Sequence, residues 1–246
     1  MPHTVFIDGA AGTTGLEILD RLTPRGEFSL LVLDDEQRKS AAARRDAYHA
    51  ADFAVLCLPD EAAVEAVALA EGSKVRIIDA SSAHRVAPGW TYGFPEVIGR
   101  EKVAAASRVS NPGCYPTGFV GLLAPLIRHG LLPADWPYTC HAVSGYSGGG
   151  KALIARFEQD RDIAYRDYGM TMGHKHVPEM RAYAGLAHAP LFAPAVIPAH
   201  RGMVVEVPLH LSLMRGAPSV DALRDCLGAF YAGSEIVTVH ADEPDQ

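Results

Sequence analysis

Thr4-Val5-Phe6-Ile7-Asp8-Gly9-Ala10-Ala11-Gly12-Thr13-Thr14-Gly15 is the stretch on which the fold turns. The run from Thr4 to Asp8 is short, apolar and rich in β-branched and aromatic residues, so it reads as a first strand. Thr13 to Leu22 carries helical spacing. Between them lies a GxxGxxG loop, Gly9, Gly12 and Gly15. Glycines let a backbone approach a pyrophosphate closely, and the start of a helix offers amide donors to it. Such a loop also serves as a plain tight turn. Its place between a first strand and a helix is the context that a dinucleotide fingerprint requires.

The alternation continues outward from that stretch. Phe28 to Leu33 reads as a second strand followed by a charged helical stretch through Arg45, and Phe53 to Leu58 as a third strand. Glu61 to Glu71 is a helix, Val75 to Asp79 a fourth strand, and Arg108 to Asn111 an approach to the next turn. Short apolar runs alternating with helices predict an α/β fold, a Rossmann-type doubly wound parallel sheet. Past residue 135 the texture changes, which predicts an α+β catalytic or substrate domain. The expected boundaries are 1–113 and 114–246. Met203 to Leu211 and Glu235 to His240 are expected strands of the second part.

Asn111-Pro112-Gly113-Cys114-Tyr115-Pro116-Thr117 places a thiol at the mouth of the helix predicted from Phe119 to Ile127. Orphan amides and the positive end of the helix dipole favour thiolate there, as a covalent nucleophile needs. A lone cysteine is more often buried packing, and that is the reading for Cys57, Cys140 and Cys226.

Other polar groups gather at predicted turns. Asp34 lies where an acidic residue would meet a ribose hydroxyl, whereas Arg38 and Lys39 would accept a 2′-phosphate; a solvated helix start accounts for all three equally well. Ser81, Ser82 and Arg85 follow the fourth strand, where hydroxyls and a guanidinium could clamp an anion or merely cap a turn. Ser144-Gly145-Tyr146-Ser147-Gly148-Gly149-Gly150-Lys151 is a second glycine-rich turn, with Ala152 where a P-loop needs a hydroxyl. An oxyanion or phosphate cradle of backbone amides is the reading left for it. His174 and His176 suit a general acid or base better than a metal site, because no third ligand follows at a familiar spacing. His200 and Arg201 form a further polar pair or a satisfied turn.

Composition frames these motifs. The 246 residues, 48% hydrophobic and 21% charged, are those of a globular protein with a sizeable core, and a net charge of −7 without a basic stripe argues against nucleic acid. No secretory leader is seen, and no run reaches the roughly 18 apolar residues of a membrane span. Four scattered cysteines suit a reducing, cytoplasmic setting. A dinucleotide loop, a helix-mouth thiol and a histidine cluster together describe thioester chemistry with hydride transfer.

NPGCYPTG (111–118), AVSGYSGGGK (142–151), GHKHVPEM (173–180), DASSAHR (79–85), YGFPE (92–96) and IDGAAGTTG (7–15) together resemble N-acetyl-gamma-glutamyl-phosphate reductase in its short, type 2 form, within the semialdehyde dehydrogenase superfamily. The resemblance runs from residue 4 to about 240. It implies NADPH-dependent reduction of N-acetyl-glutamyl phosphate to the semialdehyde in arginine biosynthesis, with Cys114 as nucleophile and His174 or His176 as acid/base. It places Gly9, Gly12, Thr13, Thr14 and Gly15 on the NADP pyrophosphate and Arg38 or Lys39 on the 2′-phosphate. Ser144, Gly145, Ser147 and Gly148 fall near the nicotinamide and the thiol. Ser81, Arg85, Tyr168, Lys175 and Glu179 are its candidates for holding the small-molecule acyl phosphate. No metal is expected, and a homo-oligomer is.

The resemblance has one departure. Family members run longer, with a tail of closing strands and a helix returning to the cofactor domain, so a shortened C-terminus is expected here. Aspartate-semialdehyde dehydrogenase, an N-acetyl-aminoadipyl phosphate reductase, a cofactor-binding protein without turnover and a cysteine hydrolase stay open as alternatives.

Overall fold

The computed structural model describes residues 1–242. The chain divides into two compact units, Met1–Pro112 and Gly113–Gln246.

The first unit is a parallel α/β layer structure. Its elements are β1 (His3–Asp8), α1 (Thr13–Leu22), β2 (Phe28–Leu31), α2 (Ala41–Ala50), β3 (Phe53–Leu56), α3 (Asp60–Leu69), β4 (Arg76–Asp79), β5 (Thr91–Tyr92), α4 (Pro95–Ile98), α5 (Arg100–Ala105) and β6 (Arg108–Ser110). The six strands lie in the order β2-β1-β3-β4-β6-β5, and every pairing is parallel. The order reverses between β1 and β3, and in such sheets ligands bind at the carboxyl ends of strands flanking the reversal.

Both faces of this sheet are covered, which is why its strands read as continuous apolar runs. Val5, Ile7 and Val55 point to one face with Ile18, Leu19 and Leu22 of α1. Phe6, Ala54, Leu56 and Ile77 point to the other, against Ala47 and Tyr48 of α2 and Ala63 and Ala66 of α3. The period-two alternation of strand side chains sends neighbours to opposite layers. Alanines on α2 and α3 let those helices approach closely.

The second unit contains α6 (Cys114–Arg128), β7 (Thr139–Gly145), α7 (Gly150–Gln159), β8 (Arg166–Asp167), α8 (Val177–Ala184), β9 (Leu191–Ile197), β10 (Met203–Glu206) and α9 (Val220–Phe230). Its four-stranded sheet has the mixed order β10-β7-β9-β8, with β7 and β9 parallel and the outer pairings antiparallel. On β7, Cys140, Ala142 and Ser144 are buried while Thr139, His141 and Val143 alternate toward the less covered face.

Several expected boundaries shift. The second and third strands end at Leu31 and Leu56, earlier than the apolar runs suggested. The expected strand from Met203 to Leu211 stops at Glu206, and a 3₁₀ turn occupies Leu211–Leu213. Residues 235–240 form no strand. The β10–β7 ladder ends at the Glu206–His141 pair, just before Pro208, which has no amide to donate to a ladder.

Candidate active site

The glycine loop of the first unit is built as a crowded turn. Gly9 has φ +89°, and a Cβ there would lie 2.3 Å from the Cys57 carbonyl oxygen; one on Gly15 would lie 2.3 Å from the Gly9 oxygen. Only glycine suits either place. The Gly12 amide closes the turn on the Gly9 carbonyl at 3.0 Å. Gly12 then caps α1 with no side-chain acceptor, so the amides of Thr13, Thr14 and Gly15 open the helix without intrahelical partners.

A cavity of about 650 Å³ adjoins the loop, lined by Gly9, Ala10, Ala11 and Gly12, by Cys57, Leu58 and Pro59 after β3, and by Asp34, Asp35, Arg38 and Arg44. Its size, glycine rim and open helix start fit a dinucleotide. Arg38 lines it and donates to Asp35 at 2.8 Å, whereas Lys39 does not line it. Asp34 accepts from the Glu36 and Gln37 amides, so one of its carboxylate oxygens caps a turn.

Arg44 is a lining residue that sequence reading passed over. Its guanidinium donates twice to Asp8 Oδ2, at 3.0 and 2.8 Å, and the Tyr48 hydroxyl donates to the same oxygen. Burial, then the Asp8 charge, raises the Tyr48 hydroxyl far above its ordinary range, so it stays a donor. Helical spacing sets Arg44 three and four residues before the buried Ala47 and Tyr48, on the covered stripe of α2, and that spacing is the signal that separates it from the exposed Arg45. Cys57 lines the same cavity, and burial, followed by Asp8 and Asp79, pushes its thiol up to about 11. That makes it a poor nucleophile.

At the end of β4 the polar groups serve one another. Asp79, fully buried, accepts from the Ser81 amide at 2.9 Å, the Ser81 hydroxyl at 2.7 Å and His84 Nδ1 at 2.6 Å. His84 stacks on Trp90 at 4.1 Å. Ser82 binds the Asp60 carboxylate through amide and hydroxyl. Arg85, 7% exposed, donates to the carbonyls of Asn111 and Ala80. Ser81 and Arg85 therefore stand at the carboxyl edge of the sheet with polar atoms turned into the loop itself.

In the second unit Cys114 is exposed at the first residue of α6. Gly113 caps the helix through its backbone; its carbonyl accepts from the Thr117 amide at 3.0 Å and the Thr117 hydroxyl at 2.9 Å. Its own amide donates to Glu179 Oε2 at 2.9 Å. Glu179 is 1% exposed, so this carboxylate holds the cap of the thiol-bearing helix and has little access to solvent. Cys140 is buried among apolar groups, and burial pushes its thiol up to about 12.

The two histidines differ. His176 is buried at the cap of α8, while His174 is half-buried. The His176 amide donates to His174 Nδ1 at 3.1 Å. An accepting Nδ1 puts the proton of the neutral ring on Nε2. Tyr168, Phe192 and His176 surround the His174 ring at 5.6, 5.1 and 4.6 Å. Lys175 between the histidines is exposed.

The second glycine-rich turn departs from the expected cradle. The amides of Gly145, Tyr146 and Ser147 donate to the carbonyls of Gly202, Ala199 and His200 at 2.9 Å each. A Cβ on Gly145 would lie 2.7 Å from the Ala199 oxygen. These three amides fasten the turn to residues 199–202, which gives the His200-Arg201 stretch its place as a brace. Ser147 is partly exposed and Gly148 exposed. Among the described residues no group of three His, Cys, Asp or Glu side chains is placed to hold a metal.

A parallel sheet with a glycine loop at its switch point, followed by a unit carrying a helix-mouth thiol, defines a class. The family described as semialdehyde dehydrogenase, NAD binding domain, matches residues 4–106, and that described as semialdehyde dehydrogenase, dimerisation domain, matches 114–245. Solved structures agree on the fold. Aspartate semialdehyde dehydrogenase II of Vibrio cholerae superposes with a TM-score of 0.63 at 16% identity, covering 88% of this chain and 78% of that one. The Candida albicans enzyme with NADP gives 0.62 at 12% identity, covering 92% and 76%.

Curated relatives narrow the class. The N-acetyl-gamma-glutamyl-phosphate reductase of Burkholderia ambifaria is 51% identical over 240 residues, 96% of this chain and 76% of that protein. Pseudomonas putida N-acetyl-gamma-glutamyl-phosphate reductase 2 is 50% identical over 244 residues, 96% of this chain and 78% of that protein. The chain belongs to the N-acetyl-gamma-glutamyl-phosphate reductase family.

Proposed function

We propose that this chain reduces N-acetyl-glutamyl phosphate to N-acetyl-glutamate semialdehyde and phosphate with NADPH, through a thioester on Cys114, as a step of arginine biosynthesis. The observation that carries the reading is an exposed thiol at the first residue of a helix whose cap amide is held by a buried carboxylate.

The Cys114 thiolate attacks the acyl carbon; the carbon–oxygen bond to phosphate breaks, phosphate leaves with the bonding pair, and a carbon–sulfur bond forms. NADPH, when bound, supplies the hydride that converts the thioester carbon to aldehyde as the carbon–sulfur bond breaks. The thiol proton is lost to solvent at the helix start, and half-open His174, whose Nδ1 is taken by the His176 amide, works through its Nε2–H, which donates to the sulfur and to the acyl oxygen as charge gathers there. His176, buried at the cap of α8, orients it.

The NADP pyrophosphate is assigned to Gly9, Gly12, Thr13, Thr14 and Gly15, and the 2′-phosphate to Arg38, the basic residue of the β2–α2 segment that lines the cavity. Ser144, Gly145, Ser147 and Gly148 shape the surroundings of the thiol. Lys175 is the exposed cation of the histidine turn and suits a substrate carboxylate or phosphate. Ser81, Arg85 and Glu179 are assigned supporting roles, because the Ser81 hydroxyl donates to the Asp79 carboxylate while Arg85 and Glu179 bind backbone groups of the chain itself.

The dimerisation-domain match and the exposed Leu191 and Val204 on the second unit's sheet support a homo-oligomer. Four free cysteines suit a cytoplasmic biosynthetic enzyme. The test is NADPH formation from N-acetyl-glutamate semialdehyde, phosphate and NADP. Wild type turns over, Cys114→Ala does not, and aspartate semialdehyde is a poor substrate. An unchanged rate in Cys114→Ala sinks the reading.

A further inference from the structure

The second unit contains a string of hydroxyls that thioester chemistry does not itself require. Tyr168 OH donates to Tyr115 OH at 3.2 Å. Tyr115 OH donates to Ser144 Oγ at 2.8 Å, with the Ala195 carbonyl at 3.3 Å as a second acceptor. Ser144 Oγ donates to the Gly145 carbonyl at 3.1 Å. The members come from separate places in the chain: Tyr115 from the first turn of α6, Ser144 from the end of β7, and Tyr168 from the segment after β8.

One of these rings, Tyr168, borders His174 directly, and the other, Tyr115, packs behind it through Phe192. Tyr168 meets it edge-on at 5.6 Å, and Phe192, which meets it at 5.1 Å, is itself packed by Tyr115 at 5.2 Å. Tyr115 also lies 5.9 Å from His176. Burial above all raises both tyrosine hydroxyls, and the charge of Cys114 adds to each, so the two phenols stay neutral within electrostatic reach of the thiol. A phenol that cannot ionise there serves as a fixed donor, and a donor aimed at another side chain immobilises its ring.

We infer that Tyr168 is a positioning residue: its hydroxyl, anchored through Tyr115 and Ser144 to the Gly145 carbonyl, holds its ring against His174 and keeps that imidazole in register with Cys114. Tyr168 then takes no part in holding the substrate, which is the role that resemblance alone gave it. The inference rests on the reading of Cys114 as nucleophile and His174 as the Nε2–H donor beside it.

Tyr168→Phe, Tyr115→Phe and the double variant test it, each keeping the ring and losing the hydroxyl. Two readouts are used: kcat and KM for the semialdehyde, and the pH profile of Cys114 alkylation by iodoacetamide without substrate. In Tyr168→Phe, kcat falls on the order of 10-fold with KM unchanged, as for a small misplacement of a catalytic group. The alkylation profile moves to higher pH. The double variant is no worse than the poorer single one, because both cut the same chain. Ser144→Ala, which leaves both rings intact, reproduces the effect and stands in should a tyrosine variant fail to fold. A raised KM with unchanged kcat would make Tyr168 a substrate contact and overturn the inference, as would unchanged kinetics and alkylation. If wild type forms no NADPH, the proposed activity fails, and the alkylation profiles still decide the role of Tyr168.

Discussion

Tyr231 donates its hydroxyl to the Gly121 carbonyl at 2.6 Å. Gly121 lies four residues before Pro125, inside the helix that begins at Cys114. A proline has no amide to return to that carbonyl. A tyrosine just past the end of α9 supplies the missing donor, so α6 keeps its length across a residue that would otherwise break it.

Tyr231→Phe should therefore lower the stability of the second unit by about 1–2 kcal/mol, the cost of leaving a part-buried carbonyl unpaired. In a Pro125→Ala background, where the helix can donate its own amide, the same substitution should cost clearly less. Urea midpoints of the four proteins in this cycle measure the coupling.

Glu179 holds the cap amide of α6. Glu179→Ala should cost about 1–3 kcal/mol by orphaning the buried Gly113 amide, while Glu179→Gln, which keeps an acceptor oxygen, should lose less. If Glu179 instead held substrate, both variants would keep wild-type stability and raise KM. Thermal melts alongside KM for the semialdehyde separate the two outcomes.

Gly9→Ala should abolish NADP binding and lower stability, because φ +89° and a 2.3 Å clash with the Cys57 oxygen must both be relieved. Gly26→Ala, with open space around its Cβ and no positive φ, should leave NADPH binding intact. Titration of NADPH fluorescence on both variants checks this.

Cys140 gives a pH dependence with a definite sign. Its thiol is pushed from the ordinary 9.0 up to about 12 by burial. The unfolded chain loses this proton first, so stability contributed by the neutral thiol is complete below pH 9 and is lost as pH rises toward 12. Urea midpoints should fall along this window, and less steeply in Cys140→Ala. Near neutral pH, iodoacetamide should label Cys114 ahead of Cys57 and Cys140, by peptide mapping after limited reaction.

The parallel sheet was legible because its strands are buried on both faces and separated by helices of matching period, a local pattern. The Cys114 turn was legible too, since Pro112, Gly113 and the apolar helix behind them are contiguous. In the second glycine-rich turn, glycine content speaks for a crowded backbone, but that the amides of Gly145, Tyr146 and Ser147 face the carbonyls of residues 199–202 depends on a segment fifty-odd positions away. Arg44 and Tyr231 were passed over for the same reason, each acting on a partner outside its own pattern.

The sequence by itself determined the α/β architecture, the glycine loop of the first unit and the thiol at the start of α6, because strand period, glycine spacing and a helix start act between near neighbours along the chain. Tertiary structure alone decided what Glu179, Tyr168 and Arg85 touch, and which histidine is half-open. Those are properties of burial and hydrogen-bond geometry between residues distant in sequence, and a buried polar group must take whatever partner the fold brings to it.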